Sequence, residues 1–247
     1  MITLSDCLTR FDDTLAALSE AFRSLEAALP QPSLIQTRHG WSRRYETQCV
    51  EHALIMKFAR LISITSALRH LVAAGHAHEQ GILQRAADET GEDIYLLFYG
   101  KQNGLKAIHR KYLKHFWREE FEAEARPSLY RPRHTVHRGE VRDYIAAQTP
   151  YRTSENDRMV YGVYSGFVHG ASTHIYDLID LESGRYRLAG VADSLGNQGY
   201  LGDALNYPLR ALMAGVPVAR ALGETETANE LLRLSDDYLA WLAAQNL

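Results

Sequence analysis

The chain is poor in cysteine, with only Cys7 and Cys49, far apart in sequence. No CxxC pair or Cys/His cluster accompanies them, so neither a disulfide framework nor a zinc knuckle is predicted. Two free thiols fit a reducing, cytoplasmic setting. Long apolar runs are also lacking. The most apolar stretch, Ala53–Ala74, is interrupted by Lys57, Arg60 and Arg69 and predicts a buried helix rather than a membrane span. The N-terminal MITLSDCLTR has no basic start, apolar core or cleavage site, so no secretory signal is expected. There is no P-loop, no GxGxxG after a strand, no GxSxG elbow and no HExxH, which withholds support from the enzyme classes built on them. Internal repeats, low-complexity tracts and linkers are absent as well. The 247 residues read as a single domain, 1–247.

Net charge is small, −3, and composition is that of an ordinary globular chain, 46% hydrophobic and 23% charged. Tyrosines outnumber phenylalanines 14 to 7, and there are 11 histidines. A buried tyrosine needs a partner for its hydroxyl, so this balance points to interior faces or clefts that are partly polar.

Apolar periodicity is helical nearly throughout. Leu4, Leu8, Phe11, Leu15, Leu18, Phe22, Leu25 and Leu29 recur at alternating spacings of four and three, which predicts a helix over Thr3–Leu29. Such a seam serves a bundle helix or a homodimeric coiled coil. Pro30 and Pro32 end it. A polar connector, Gln31–Ser42, leads to a second helix, Arg43–Ala74, apolar on most sides and hence central. Further helices are predicted over His78–Tyr99, Leu105–Glu124, Gly139–Gln148, Ser154–Asp180, Leu201–Leu222 and Glu224–Gln245. Pro208 and Pro217 should delay or kink the Leu201–Leu222 helix. A small hairpin is expected at Leu181–Gly190, around Ser183-Gly184. The fold class is all-α, a bundle of seven or eight helices with one small hairpin.

Three groups of residues suggest chemistry. Tyr161, Ser165 and His169 sit four apart on the predicted Ser154–Asp180 helix, with Arg158 near the same line. An imidazole one turn from a hydroxyl can act as general base or acid, or can be a satisfied interior histidine. Gly162, Gly166 and Gly170 run beside this row and suggest close helix packing. The second group is basic. From Lys101 to Arg138, ten Lys/Arg stand against four Glu, so this stretch carries +6 and the rest of the chain −9. It includes Arg126, Arg131, Arg133 and Arg138, with His109, His115, Tyr112, Trp117 and Tyr130 interleaved, a mixture suited to phosphate and base contacts. A solvated helix face with local ion pairs is the alternative. The third group is Arg85, Glu89, Glu92 and Asp93, with Glu51-His52 on the preceding helix. Facing carboxylates can build a di-metal site, but Glu-x-x-His spacing is missing and an Arg85–Glu89 pair at i,i+4 accounts for these residues simply. No metal and no cofactor are expected.

Tyr161-x3-Ser165-x3-His169, followed by Gly170-Ala171-Ser172, resembles the late-helix motif of a group of bacterial all-helical proteins in the HEPN-like neighbourhood. The stretch Arg85–Leu97, RAADETGEDIYLL, is similar to the same group. The resemblance implies an RNA- or nucleotide-binding protein, or a ribonuclease of a defence or toxin module. It would make His169 the acid/base, with Ser165 and Tyr161 orienting it, and Arg158, Arg126, Arg131 and Arg133 on phosphate. The chain departs from the family's R-x4-6-H pattern, since Arg158 lies eleven residues before His169, about 16 Å along a helix. A non-catalytic scaffold, homodimeric through the first helix, is the alternative expectation.

Overall fold

The Thr3 side chain opens the first helix by accepting from the Asp6 N–H at 3.1 Å, while the Thr3 N–H donates back to the Asp6 carboxylate at 3.2 Å. This reciprocal cap is worth about 1 kcal/mol and sets the start of α1, Leu4–Ala27. The computed structural model describes residues 2–37, 40–118, 136–149, 154–180, 182–191 and 198–245. After α1 come strands β1, Ser33–Thr37, and β2, Gly40–Arg44, then α2, Val50–Ala74, and α3, Ala77–Asn103. The chain continues through α4, Ala107–Phe116; α5, Arg138–Ala146; α6, Ser154–His169; and α7, Ser172–Ile175, with a 3-10 turn over Tyr176–Leu178. Two long helices close the bundle, α8, Gln198–Leu222, and α9, Thr225–Ala244.

The class is as expected, all-α with one small antiparallel sheet, but the sheet lies elsewhere. Gln31–Ser42, expected as a connector, carries most of a ladder running from Ser33↔Arg44 to Thr37↔Gly40. Its strands lack apolar alternation because neither face is buried: Leu34, Ile35 and Trp41 are all exposed. The Leu181–Gly190 stretch, where the hairpin was expected, makes one isolated bridge, Ile179↔Tyr186.

The α2 helix lies at the centre, packed by α1, α3 and α8, with α9 on α8. Phe11, Leu18 and Leu25 of α1 are fully buried against Leu54, Phe58 and Leu68 of α2 and Leu205 and Leu212 of α8. Leu4, Leu8, Phe22 and Leu29 of the same seam pack partly buried against this core. At the α2–α8–α9 crossing a Cβ on Gly215 would come 2.7 Å from the Phe58 ring and 2.9 Å from Leu231, so only glycine permits this approach. Pro208 and Pro217 both lie inside α8, which runs unbroken as an element. Proline has no N–H for the carbonyl four residues back, and the carbonyl that Pro217 leaves, Met213 O, takes the Tyr95 hydroxyl at 3.4 Å.

The long helix expected over Ser154–Asp180 stops at His169. Gly170 turns left-handed, at φ 63°, and the Ala171 N–H returns to the Gly166 carbonyl at 2.9 Å. That is a glycine C-terminal cap, and it redirects the chain into α7. Against the outer side of this α1–α2–α8–α9 body, α6 packs on α3, and α5 packs on both α3 and α6. Behind α5 sits a second, small apolar cluster of Leu96, Val136, Val141 and Ile145.

Candidate functional site

A cavity of about 280 Å³ opens where α3, α5, α6 and α8 converge over Leu61 of α2. Its back is apolar, with Leu61, Ala87, Val160 and Ala214, and its walls carry Arg85, Arg142 and Arg210 with Asp88, Glu92 and four tyrosines. Helical spacing explains the α3 contribution. Asp88, Gly91, Glu92 and Tyr95 recur at three and four, so one face of α3 presents them together.

Tyr161 is the hub. The Arg85 guanidinium donates to its hydroxyl, and both Arg85 and Arg142 lie over its ring, 4.2 and 4.0 Å from the centroid. Each cation over a tyrosine ring contributes about 0.5–2 kcal/mol, more as water is excluded. Arg85 also donates to Ser165 Oγ at 3.3 Å and, through Nε, to Glu89 at 3.1 Å. The i,i+4 Arg85–Glu89 pair anticipated from sequence is thus formed. Arg142 Nε donates to Glu92 Oε1 at 2.7 Å, with both side chains about 95% buried. On the far wall Asp88 accepts from the Tyr207 hydroxyl at 3.2 Å and from Arg210. Burial, then the Asp88 charge, drives the Tyr207 hydroxyl well above the ordinary phenol range, so it stays a proton donor. Burial raises Tyr164 likewise.

A charged layer lies under α5. Asp93, 2% exposed, accepts from Lys57 Nζ at 2.7 Å and from Arg138 at 2.6 Å. Arg138 also stands 3.8 Å from Glu89 and from Glu92. Burial alone would depress the Arg138 pKa, but Asp93 and the two glutamates reverse that and hold it above the free value. Every one of these carboxylates is engaged by a cation. Among the described residues no group of three or more His, Cys, Asp or Glu is placed to hold a metal ion.

The structure divides the predicted row. Tyr161 and Ser165 turn inward to Arg85, while His169 is exposed at the end of α6 and makes no hydrogen bond among the described residues. Four-residue steps drift about 40° each on a helix, so His169 is rotated about 80° from Tyr161. Arg158 lies on α6, but its side chain is outside the described part, as are Arg126, Arg131 and Arg133 altogether. Among the described residues the glycine row is not one continuous seat for a neighbouring helix. Gly162 meets nothing, Gly166 accommodates the His174 ring, and Gly170 is the helix cap. Part of the basic stretch is internally occupied. Lys101 pairs with Glu51, Arg110 donates to the Leu105 carbonyl at 2.6 Å, and Arg138 belongs to the buried network.

Arg142, Arg210, Tyr207 and Asp88 escaped the sequence reading. One signal was present: Arg142 falls in the apolar stripe of α5 beside Val141 and Ile145, where an arginine has to be buried. Comparison with protein-family models, with curated proteins and with solved structures returns no match.

Proposed function

We propose that the protein binds a nucleotide or a nucleotide unit of RNA in the cavity between α3, α5, α6 and α8. The observation that carries this reading is the Arg85–Tyr161–Arg142 stack, two guanidiniums on one aromatic ring at the wall of a partly apolar cavity. Guanidinium forks suit phosphate oxygens, and tyrosine faces suit a base. At about 280 Å³ the cavity is at the small end for ligand sites, which favours one nucleotide unit over a strand segment. The role is binding. His169 lies away from the stack, so no acid/base step is assigned to it. Tyr161 and Ser165 position Arg85 rather than a histidine.

Calorimetric titration with nucleoside monophosphates and with short single-stranded RNA tests the reading. Arg85→Met is expected to weaken binding by about tenfold or more, the worth of a charge-assisted hydrogen bond. Equal affinity in wild type and variant would remove the cavity from the account. A scaffold role is the second reading, supported by the exposed Leu34, Ile35 and Trp41 of the hairpin.

A further inference from the structure

One wall of the cavity carries a glycine that nothing described around it requires. Gly91 lies well inside α3, Ala77–Asn103. Its backbone is helical, without the positive φ that would call for glycine. Glycine in a helix interior weighs against folding by about fivefold relative to alanine. The other two glycines of α3 have a steric reason to be there. A Cβ on Gly81 would come 2.5 Å from the Phe167 ring, and one on Gly100 would come 2.8 Å from the His109 ring. A Cβ on Gly91 would meet no described atom within 4 Å. It would project beside the cavity, which Gly91 lines. The remaining use of a helical glycine is to let a ligand approach the backbone closely.

The surroundings of Gly91 fit a flat, weakly polar group. Ala87 stands one turn before it on α3 and Tyr95 one turn after, and Ala214 of α8 lines the same cavity. Ala87 and Ala214 are small and buried, so the floor here is low. The Tyr95 hydroxyl donates to the Met213 carbonyl at 3.4 Å and ties α3 to α8 beside it. Arg85, over the Tyr161 ring, lies six residues earlier, about 9 Å along the helix. The cationic end and the glycine end of the cavity are therefore separate places on α3.

We propose that Gly91 is a specificity-determining residue: the plane of a nucleobase lies against the α3 backbone at Gly91, with the phosphate directed to Arg85 and the Tyr161 stack. This rests on the nucleotide-binding reading of the same cavity and adds which wall takes the base.

The test pairs urea unfolding with calorimetric titration for wild type, Gly91→Ala and Gly162→Ala. Gly162 is the control, a glycine inside α6 that also has open space at its Cβ and is not among the described residues lining the cavity. The probes are adenosine 5′-monophosphate and ribose 5-phosphate, the latter measured by competition against the former. Both variants should be more stable than wild type, by about fivefold in the unfolding equilibrium. Gly91→Ala should nonetheless weaken adenosine 5′-monophosphate by about tenfold, since the added methyl overpacks the base contact. It should leave ribose 5-phosphate unchanged, and Gly162→Ala should change neither probe. Undiminished affinity for adenosine 5′-monophosphate in Gly91→Ala overturns the assignment of Gly91 and leaves nucleotide binding standing. Equal weakening of both probes, or an equal loss in Gly162→Ala, overturns the placement of the base. A Gly91→Ala variant less stable than wild type shows that the fold itself needs this glycine, and overturns it too. Failure of both probes to bind wild type overturns the nucleotide reading, and the role of Gly91 with it.

Discussion

The two faces of α3 lead into two kinds of interior. Towards α2 and α8 the packing is apolar, with Phe11, Leu18, Phe58, Leu68 and Leu205 fully buried in one continuous core. Towards α5 and α6 the apolar cluster shrinks to Leu96, Val136, Val141 and Ile145, and charged pairs lie beside it. Lys57, Arg85, Arg138 and Arg142 interlock there with Glu89, Glu92 and Asp93. Buried ion pairs seldom stabilise more than apolar packing of the same volume. The first interior therefore carries most of the fold's stability, and the second is the one to which the proposed function assigns binding.

This division can be broken at its strongest point first. Phe58→Ala should destabilise by about 3–5 kcal/mol, measured by urea unfolding, because a fully buried ring leaves a cavity between α2 and α8. A loss below 1 kcal/mol would mean that the apolar core is not the main support. Asp93→Ala should come next. Removing one partner of a buried pair costs about 3–5 kcal/mol, but Lys57 and Arg138 remain 20% and 28% exposed, so about 2–3 kcal/mol is expected.

The pH response sharpens the comparison. His109, fully buried, accepts the Lys106 N–H on Nδ1 at 2.8 Å, and burial lowers its pKa below the ordinary 6.5. The unfolded chain then binds a proton that the folded chain refuses. The neutral histidine's contribution is complete above pH 6.5 and is lost as pH falls from there towards the depressed folded value. Urea unfolding on either side of pH 6.5 should show a larger acid loss for wild type than for His109→Gln.

Tyr161→Phe keeps the ring and removes the acceptor of the Arg85 donor, so about 1 kcal/mol should go in urea unfolding, with a weaker hold on ligand. His169→Ala is the smallest change. An exposed side chain without a partner among the described residues should alter stability by less than about 0.5 kcal/mol and leave nucleotide affinity unchanged in calorimetry.

The apolar interior was legible in the sequence because periodicity reports burial. The α1 seam apart from Leu15, and the apolar residues of the central α2, meet in the core. The charged interior was legible only within single helices, as in Arg85–Glu89, whose i,i+4 spacing is local. Arg142–Glu92 and Arg210–Asp88 join residues 50 and 122 positions apart, and no spacing rule reaches that far. The end of the helix that carries the Tyr161, Ser165 and His169 row was missed for a local reason. Gly170 was read as a packing glycine in a continuing helix, whereas its left-handed backbone ends the helix and leaves His169 at an exposed tip. The hairpin at 33–44 escaped because a sheet with no buried face leaves no alternation to read.

The most direct measurement is side-chain NMR of the arginine guanidinium groups during titration with a 3′,5′-cyclic nucleoside monophosphate. If the charged interior is the binding site, the Arg142 and Arg85 signals shift and the terminal N–H protons of Arg142 become protected from exchange. If Arg142 stays unchanged while the signals of the basic stretch, such as Arg110 and Arg118, move instead, the ligand is bound on the outer surface and the account of the cavity is contradicted.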